Sequence, residues 1–413
     1  MLAAMLVALP VPPATAAAAP PLPDASLNGQ WWFATLQVGK IWASGAQGQG
    51  VTVAILDSGV NAARPELAGR VLAGTDLVTG GDGRTDYDRS RAHGTAMALF
   101  VAGQGGASGL VGIAPQAHIL PVRLNQGPST GGDQRLVDGI RWAVDHGAKV
   151  INASIGPSGE CPAEVQDAVG YAVGKGAVVV ASAGNSGGSG SPPEYPASCA
   201  GVLAAGAVDA ARHAWPGTTR QSYVDVAAPG VNMASINATG QAGKSDGTSD
   251  ASALTSAAIA LIWSKYPALT NRQVVARLLA TLRDDADRPG RDPATGLGLI
   301  RPYNAITTPV PPNAANPVFD ELDRLDPATS APPSSAPTTP GAGSAAPAPP
   351  AASPGNGISE TASGSGTLVA VGAAMLAVGA AVTLLIVLLV TRRRRALQQP
   401  PPWPPTGGPP RWP

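Results

Sequence analysis

Histidine and cysteine are scarce in this chain, with four and two among 413 residues. Four histidines leave few candidates for a general base. Charge of one sign is also missing: 27 basic residues balance 27 acidic ones, for a formal net charge of zero. Such a chain exerts no long-range pull on a polyanion, which sets nucleic acid aside as a partner. No metal and no cofactor are expected. Aromatic residues make up only 4% of the chain, yet Trp31, Trp32, Phe33 and Trp42 crowd into one short stretch. What is plentiful, 51 Gly and 42 Pro, is unevenly spread. Prolines gather in the first two dozen residues and beyond Thr308, so those ends are not core.

The ends read as export and anchoring signals. Met1 to Pro10 is a short apolar run followed by Ala14-Thr15-Ala16, the small-x-small pattern of a signal-peptidase site, although a basic n-region is missing. Residues 1–19 are therefore expected to be a signal peptide rather than a merely disordered Ala/Pro terminus. Thr367 to Val390 is an uncharged apolar segment of spanning length, and Arg392 to Arg395 follow at once. Positive charge stays on the cytoplasmic side. The expectation is thus a single-pass type I protein of the cell membrane, with a transmembrane helix at 367–390, a cytoplasmic tail at 391–413 and the bulk of the chain outside. A buried core helix at 367–390 fits poorly between a Pro/Ser-rich linker and an arginine cluster. In an exported chain Cys161 and Cys199 most simply form one disulfide, whereas in the cytosol they would be unrelated thiols.

The middle of the chain alternates strand and helix. Gly50-Val-Thr-Val-Ala-Ile-Leu56 is a β-branched run ending in Asp57-Ser58-Gly59-Val60, and uninterrupted apolar strands belong in parallel sheets covered on both faces. Leu136, Ile140 and Val144 recur at four-residue spacing between Asp133 and Gly147, a sheet-covering helix with cap and stop signals. Strands follow at Lys149 to Ser154, Ala177 to Asn185, Val202 to Val208 and Val224 to Gly230, with a helix around Tyr171 and a closing one from Gln273 to Leu282. This order predicts an α/β fold with a doubly wound parallel sheet over residues 50–306. Residues 20–49 form an aromatic arm expected to stay attached and pack on that body, in preference to serving as a ligand platform. Residues 307–366, rich in Pro, Ala and Ser, are expected to be an extended tether. Trp403 and Trp412 lie in a Pro-rich tail that reads as a disordered stub rather than a ligand for a polyproline-reading domain.

Chemistry concentrates at the ends of these elements. From Ser245 to Tyr266 the chain turns small and apolar on nearly every face after Gly247, the pattern of a buried helix with Ser249 at its N-terminus. Unpartnered N–H groups and the helix dipole favour an anion there, although a serine in that place is more often a simple cap. His93-Gly94-Thr95 opens another small-residue helix with a Gly-Thr step like Gly247-Thr248. Asp57 and Asn185 each follow a strand, at the sheet edge where ligands gather in open α/β sheets, though either residue alone would be an ordinary turn. Peptide hydrolysis by serine needs a nucleophile, an imidazole, a carboxylate to fix its tautomer and donors for the oxyanion. Asp57, His93, Asn185 and Ser249 supply those groups in chain order.

Asp-Ser-Gly-Val, His-Gly-Thr, Ala-Ser-Ala-Gly-Asn, Val-Ala-Ala-Pro-Gly and Gly-Thr-Ser together resemble the subtilisin-like serine proteases, from about Gly50 to Asn304. The resemblance implies a triad of Asp57, His93 and Ser249, an oxyanion hole of Asn185 and the Ser249 N–H, and a substrate edge at Ser154, Ile155 and Gly156. The layout of arm, protease body, tether, spanning helix and tail resembles the mycosins, membrane-anchored subtilases of type VII secretion systems. That likeness implies limited proteolysis of secreted proteins and a second role in stabilising the secretion complex, with protein or peptide substrates, that complex and the cell membrane as partners. The alternative is a catalytically weak or inactive structural subunit. One departure bears on it: the family continues after Gly-Thr-Ser as x-Ala-x-Pro with an apolar first residue, whereas this chain reads Asp250-Ala251-Ser252-Ala253. An aspartate aimed into the cleft would oppose the oxyanion.

Overall fold

A computed structural model describes residues 29–125, 133–283 and 290–325. The strands, in chain order, are β1 (Thr52–Asp57), β2 (Thr75–Asp76), β3 (Gln104–Gly105), β4 (Leu110–Val111), β5 (His118–Arg123), β6 (Val150–Ala153), β7 (Val178–Ser182), β8 (Val202–Val208), β9 (Val224–Pro229), β10 (Met233–Ile236) and β11 (Ala242–Ser245). Seven of them make one sheet in the order β2-β5-β1-β6-β7-β8-β9, and every pairing in it is parallel. The doubly wound α/β reading is correct. The strands are buried almost throughout because helices cover them.

The helices are α1 (Trp32–Thr35), α2 (Val38–Ala43), α3 (His93–Ala102), α4 (Asp133–Asp145), α5 (Ala163–Gly174), α6 (Thr248–Lys265), α7 (Asn271–Leu279), α8 (Pro302–Thr307) and α9 (Pro317–Leu325). Helix α6 is buried from Thr248 to Trp263, and α3 from Gly94 to Ala102. Their all-round apolar surface reflects a position between the sheet and other elements, which an amphipathic helix could not occupy. Helix α5 starts well before the segment around Tyr171 because Pro162, extended at φ −67°, launches it. Helix α7 begins at a capping box in which Thr270 and Gln273 satisfy each other's backbone N–H.

The arm packs on the body from Gly29 onward. Trp32, Leu36, Val38 and Ile41 are fully or almost fully buried. Gln30 exchanges two hydrogen bonds with the backbone of Val111, and Trp42 Nε1 donates to Ile113 O at 2.8 Å. Trp32 meets Phe100 of α3 edge-on. The body also runs past the boundary expected at 306. Residues 307–325 are not an extended tether, because Val318, Phe319 and Leu322 give α9 an apolar face that is buried, and Arg272 forks onto Asp323. Cys161 and Cys199 are bonded to each other with their Cα atoms 5.0 Å apart.

Among the described residues no helix is long and apolar enough to cross a membrane. The expected signal peptide at 1–19, the rest of the tether, the spanning segment at 367–390 and the tail at 391–413 lie outside the described residues.

Candidate active site

Asp57 ends β1, the strand at which the chain reverses its direction of winding: β5 lies on one side and β6 on the other. Its carboxylate therefore emerges at the carboxyl edge of the sheet, at a switch point. His93 is brought to it by glycine. A Cβ on Gly94 would lie 2.2 Å from Gly59 O and 3.0 Å from the Asp57 Cβ, so only glycine lets α3 approach the β1 turn this closely. Ala92, in the left-handed region at φ 51°, turns the chain into the helix just before His93. The result is a hydrogen bond from His93 Nδ1–H to Asp57, 2.8 Å from Oδ2 and 2.9 Å from Oδ1. With Nδ1 held as donor, Nε2 is left as the acceptor of the neutral ring.

Two residues without a strand or helix signature hold that pair. Ser58 Oγ lies 3.1 Å from Asp57 Oδ1 and 2.9 Å from Asp86 Oδ1, and its N–H donates to Asp57. Asp86 in turn accepts from Thr95 N–H and Thr95 Oγ. Burial pushes the Asp86 carboxyl above the usual range, opposed by those bonds and assisted by the Asp57 charge. The only sequence signal for Asp86 is its position seven residues before His93, in Thr-Asp-Tyr-Asp, which no periodicity marks.

Ser249 is in the first turn of α6, and that helix is locked to the sheet by polar contacts in its otherwise apolar face. Asn152 of β6 accepts from Ser252 Oγ and Ser256 Oγ and donates to Ser154 Oγ, which donates to Ser249 O. Asn185 accepts from both Thr248 N–H and Thr248 Oγ with its single oxygen, at 3.0 and 2.9 Å. Because an amide donor can be met only by that oxygen, the orientation of the carboxamide is fixed, and its NH2 is turned away from Thr248. A Cβ on Gly247 would stand 3.7 Å from Ser249 N and 3.8 Å from Asn185 Nδ2, so both N–H donors border the same point beside Gly247. Two converging donors are the arrangement that stabilises a tetrahedral oxyanion.

These groups open on one cavity of about 320 Å³, lined by Asp57, His93, Ser154, Ile155, Gly156, Asn185 and Ser249 among others. Every residue singled out in the sequence for catalysis or substrate contact is therefore gathered there. In the rotamer present Ser249 Oγ donates to Ser154 O at 3.1 Å.

Asp250 does not line the cavity. It is 2% exposed, its Oδ2 accepts from Ser245 Oγ at 2.7 Å, and burial pushes its carboxyl up to about 7. The concern that it would face the oxyanion is removed. Its influence is on the imidazole instead. Burial disfavours the charged form of His93, but the Asp57 charge and hydrogen bond, then the charges of Asp250 and Asp86, outweigh it and lift His93 to about 9. The ring keeps 26% exposure, so water screens part of this pull. Ala253, where the family pattern has proline, is fully buried, and α6 runs through it unbroken.

Residues 48–298 match the model of the subtilase family, and the chain belongs to that family: it is a subtilisin-like serine endopeptidase. It is 36% identical to subtilisin DY of Bacillus licheniformis over 61% of this chain and 90% of that one, and 34% identical to thermitase of Thermoactinomyces vulgaris over 63% and 90%. Among solved structures it is similar to the MycP3 protease from the type VII (ESX-3) secretion system, with 31% identity and a TM-score of 0.60, covering 70% of this chain and 91% of that one. MycP1 from Mycobacterium smegmatis gives 27% identity and a TM-score of 0.61, covering 74% and 89%.

Proposed function

We propose that this chain is a membrane-anchored extracytoplasmic endopeptidase of type VII protein secretion, with Asp57, His93 and Ser249 as its triad. The observation that carries the catalytic part is the Asp57–His93 pair opening on the same cavity as Ser249 and the two oxyanion donors. His93 Nε2 takes the proton of Ser249 Oγ as that oxygen attacks the scissile carbonyl. Asp57 holds the tautomer and steadies the imidazolium, and Ser249 N–H with Asn185 Nδ2 receives the oxyanion. His93 then protonates the leaving amine, and water releases the acyl group by the same route. Ser154 to Gly156 pair with the extended substrate as an added strand. The secretion role is supported by the likeness to MycP1 and MycP3, and the anchor by the apolar segment at 367–390 followed by four arginines.

The test is a fluorophosphonate probe on the folded full-length protein. Wild type should be labelled at Ser249 and Ser249→Ala should not, and an unlabelled wild type would sink the catalytic reading. Comparing secreted proteins among wild type, Ser249→Ala and a deletion strain separates the two roles. Loss of cleavage in the point variant together with loss of secretion only in the deletion is the expected pattern; unchanged secretion in the deletion strain overturns the secretion role.

A further inference from the structure

The cavity holds one carboxylate that the catalytic scheme does not use. Glu194 lines it, between the Ser154–Gly156 edge and the turn Gly184-Asn185-Ser186. A Cβ on Gly184 would lie 2.3 Å from Glu194 Oε1, and one on Gly156 would lie 3.8 Å from Oε2. The carboxylate thus closes a slot whose two walls are nearly bare backbone. Its position is built rather than incidental. Ser186 Oγ and Thr219 Oγ both donate to Oε1, at 2.9 and 3.2 Å, while Glu194 N–H donates to Tyr223 Oη, which donates to Ala183 O. Among the described residues no cation pairs with this carboxylate, and no donor meets Oε2. The cavity lining carries charge of both signs: Asp133, whose carboxylate accepts from Tyr195 Oη at 2.5 Å, Asp57 and Asp88 on one side of the balance, Arg91 and Arg135 on the other, with Arg135 Nη1 turned to Leu124 O rather than to Glu194.

An extended peptide paired with the Ser154–Gly156 edge, its scissile carbonyl at Ser249 and Asn185, sends the side chain preceding the cleaved bond into the space between those two segments. A part-buried, unpaired carboxylate closing that space is complementary to a cation and penalises an anion. We propose that Glu194 sets the cleavage specificity of this enzyme, selecting lysine or arginine at the residue N-terminal to the scissile bond. This rests on the endopeptidase reading above and deepens it.

The experiment uses the full-length protein and matched peptides that differ only at that residue: lysine, arginine, acetyl-lysine, leucine and glutamate. Wild type should cleave the lysine peptide with a kcat/KM roughly 10- to 100-fold above the acetyl-lysine one, as a charged hydrogen bond would give. Glu194→Gln keeps an acceptor for Ser186 and Thr219, and it should bring that ratio close to one while Ser249 reacts with fluorophosphonate at the wild-type rate. A wild-type ratio near one overturns the proposal whether or not the variant folds, and so does a ratio that Glu194→Gln leaves unchanged. Labelling of Ser249 with a flat peptide profile overturns the specificity alone. Absence of both labelling and cleavage overturns the endopeptidase reading with it.

Discussion

Replacing Asn185 by alanine removes two things that the structure separates. The first is the Nδ2 donor beside Ser249 N–H, which meets charge only when the tetrahedral oxyanion forms. Losing one such donor costs about 2.7–4 kcal/mol of transition-state stabilisation, or roughly 100- to 1000-fold in kcat. The second is the oxygen that accepts from Thr248 N–H and Thr248 Oγ at the head of α6. Thr248 is fully buried, so its two donors would be left without that acceptor, at a cost of about 1–3 kcal/mol in stability for an orphaned buried donor. Thr248 Oγ can still donate elsewhere by rotating, whereas the N–H cannot. Asn185→Asp separates activity from stability: it keeps an acceptor for Thr248 but replaces the donor with a carboxylate oxygen that repels the oxyanion. The expectation is therefore that both variants lose at least 100-fold in kcat with little change in KM, while only Asn185→Ala lowers the unfolding midpoint appreciably. Single-turnover kinetics with an ester substrate and thermal melts of each variant measure the two quantities. If Asn185→Ala keeps kcat within threefold of wild type while Ser249 still reacts, the side chain does not serve the oxyanion.

Two further expectations come from charge and from covalent structure. The base works only when neutral, so with His93 raised to about 9, kcat/KM should climb with pH by about tenfold per unit on the acid side and level off above that value. Asp250 contributes to holding the proton, and its anion favours the imidazolium; Asp250→Asn should therefore move the limb to lower pH and raise activity at pH 7, while an unmoved limb would show that Asp250 does not reach the imidazole. The Cys161–Cys199 bridge closes a loop with a sequence separation of 38, for which loop entropy gives about 3–4 kcal/mol. Reduction or Cys161→Ser with Cys199→Ser should lower the denaturant midpoint by a corresponding amount, and an unchanged midpoint would mean that the segment from Cys161 to Cys199, which carries α5 and β7, is already ordered in the unfolded chain.

What could be read from the chain and what could not divides along one physical line. β1, β6, β7 and β8 announce themselves because a strand covered on both faces must be apolar at nearly every position, and α6 does so because a helix enclosed on all sides has no polar stripe. The catalytic groups are legible for a related reason: each stands where such an element ends, so Asp57, His93, Asn185 and Ser249 are marked by the pattern that stops just before or starts just after them. Asp86 and Glu194 have no such marker. They lie in irregular segments, and their importance comes from contacts made over sequence distance, Asp86 through Ser58 to Asp57 and Glu194 through Ser186 and Thr219 to the edge of the cavity. Residues 307–325 escaped the reading for a compositional reason: three prolines and a run of small residues before Pro317 masked the apolar triplet Val318, Phe319 and Leu322 that anchors α9. Asp250 shows the limit from the other side. Its identity beside the nucleophile was plain, but its effect depends on which face of the first helical turn it occupies, and that face is set by Ser245, four residues before the nucleophile. The same carboxylate that would oppose catalysis from inside the cleft tunes the base from behind it.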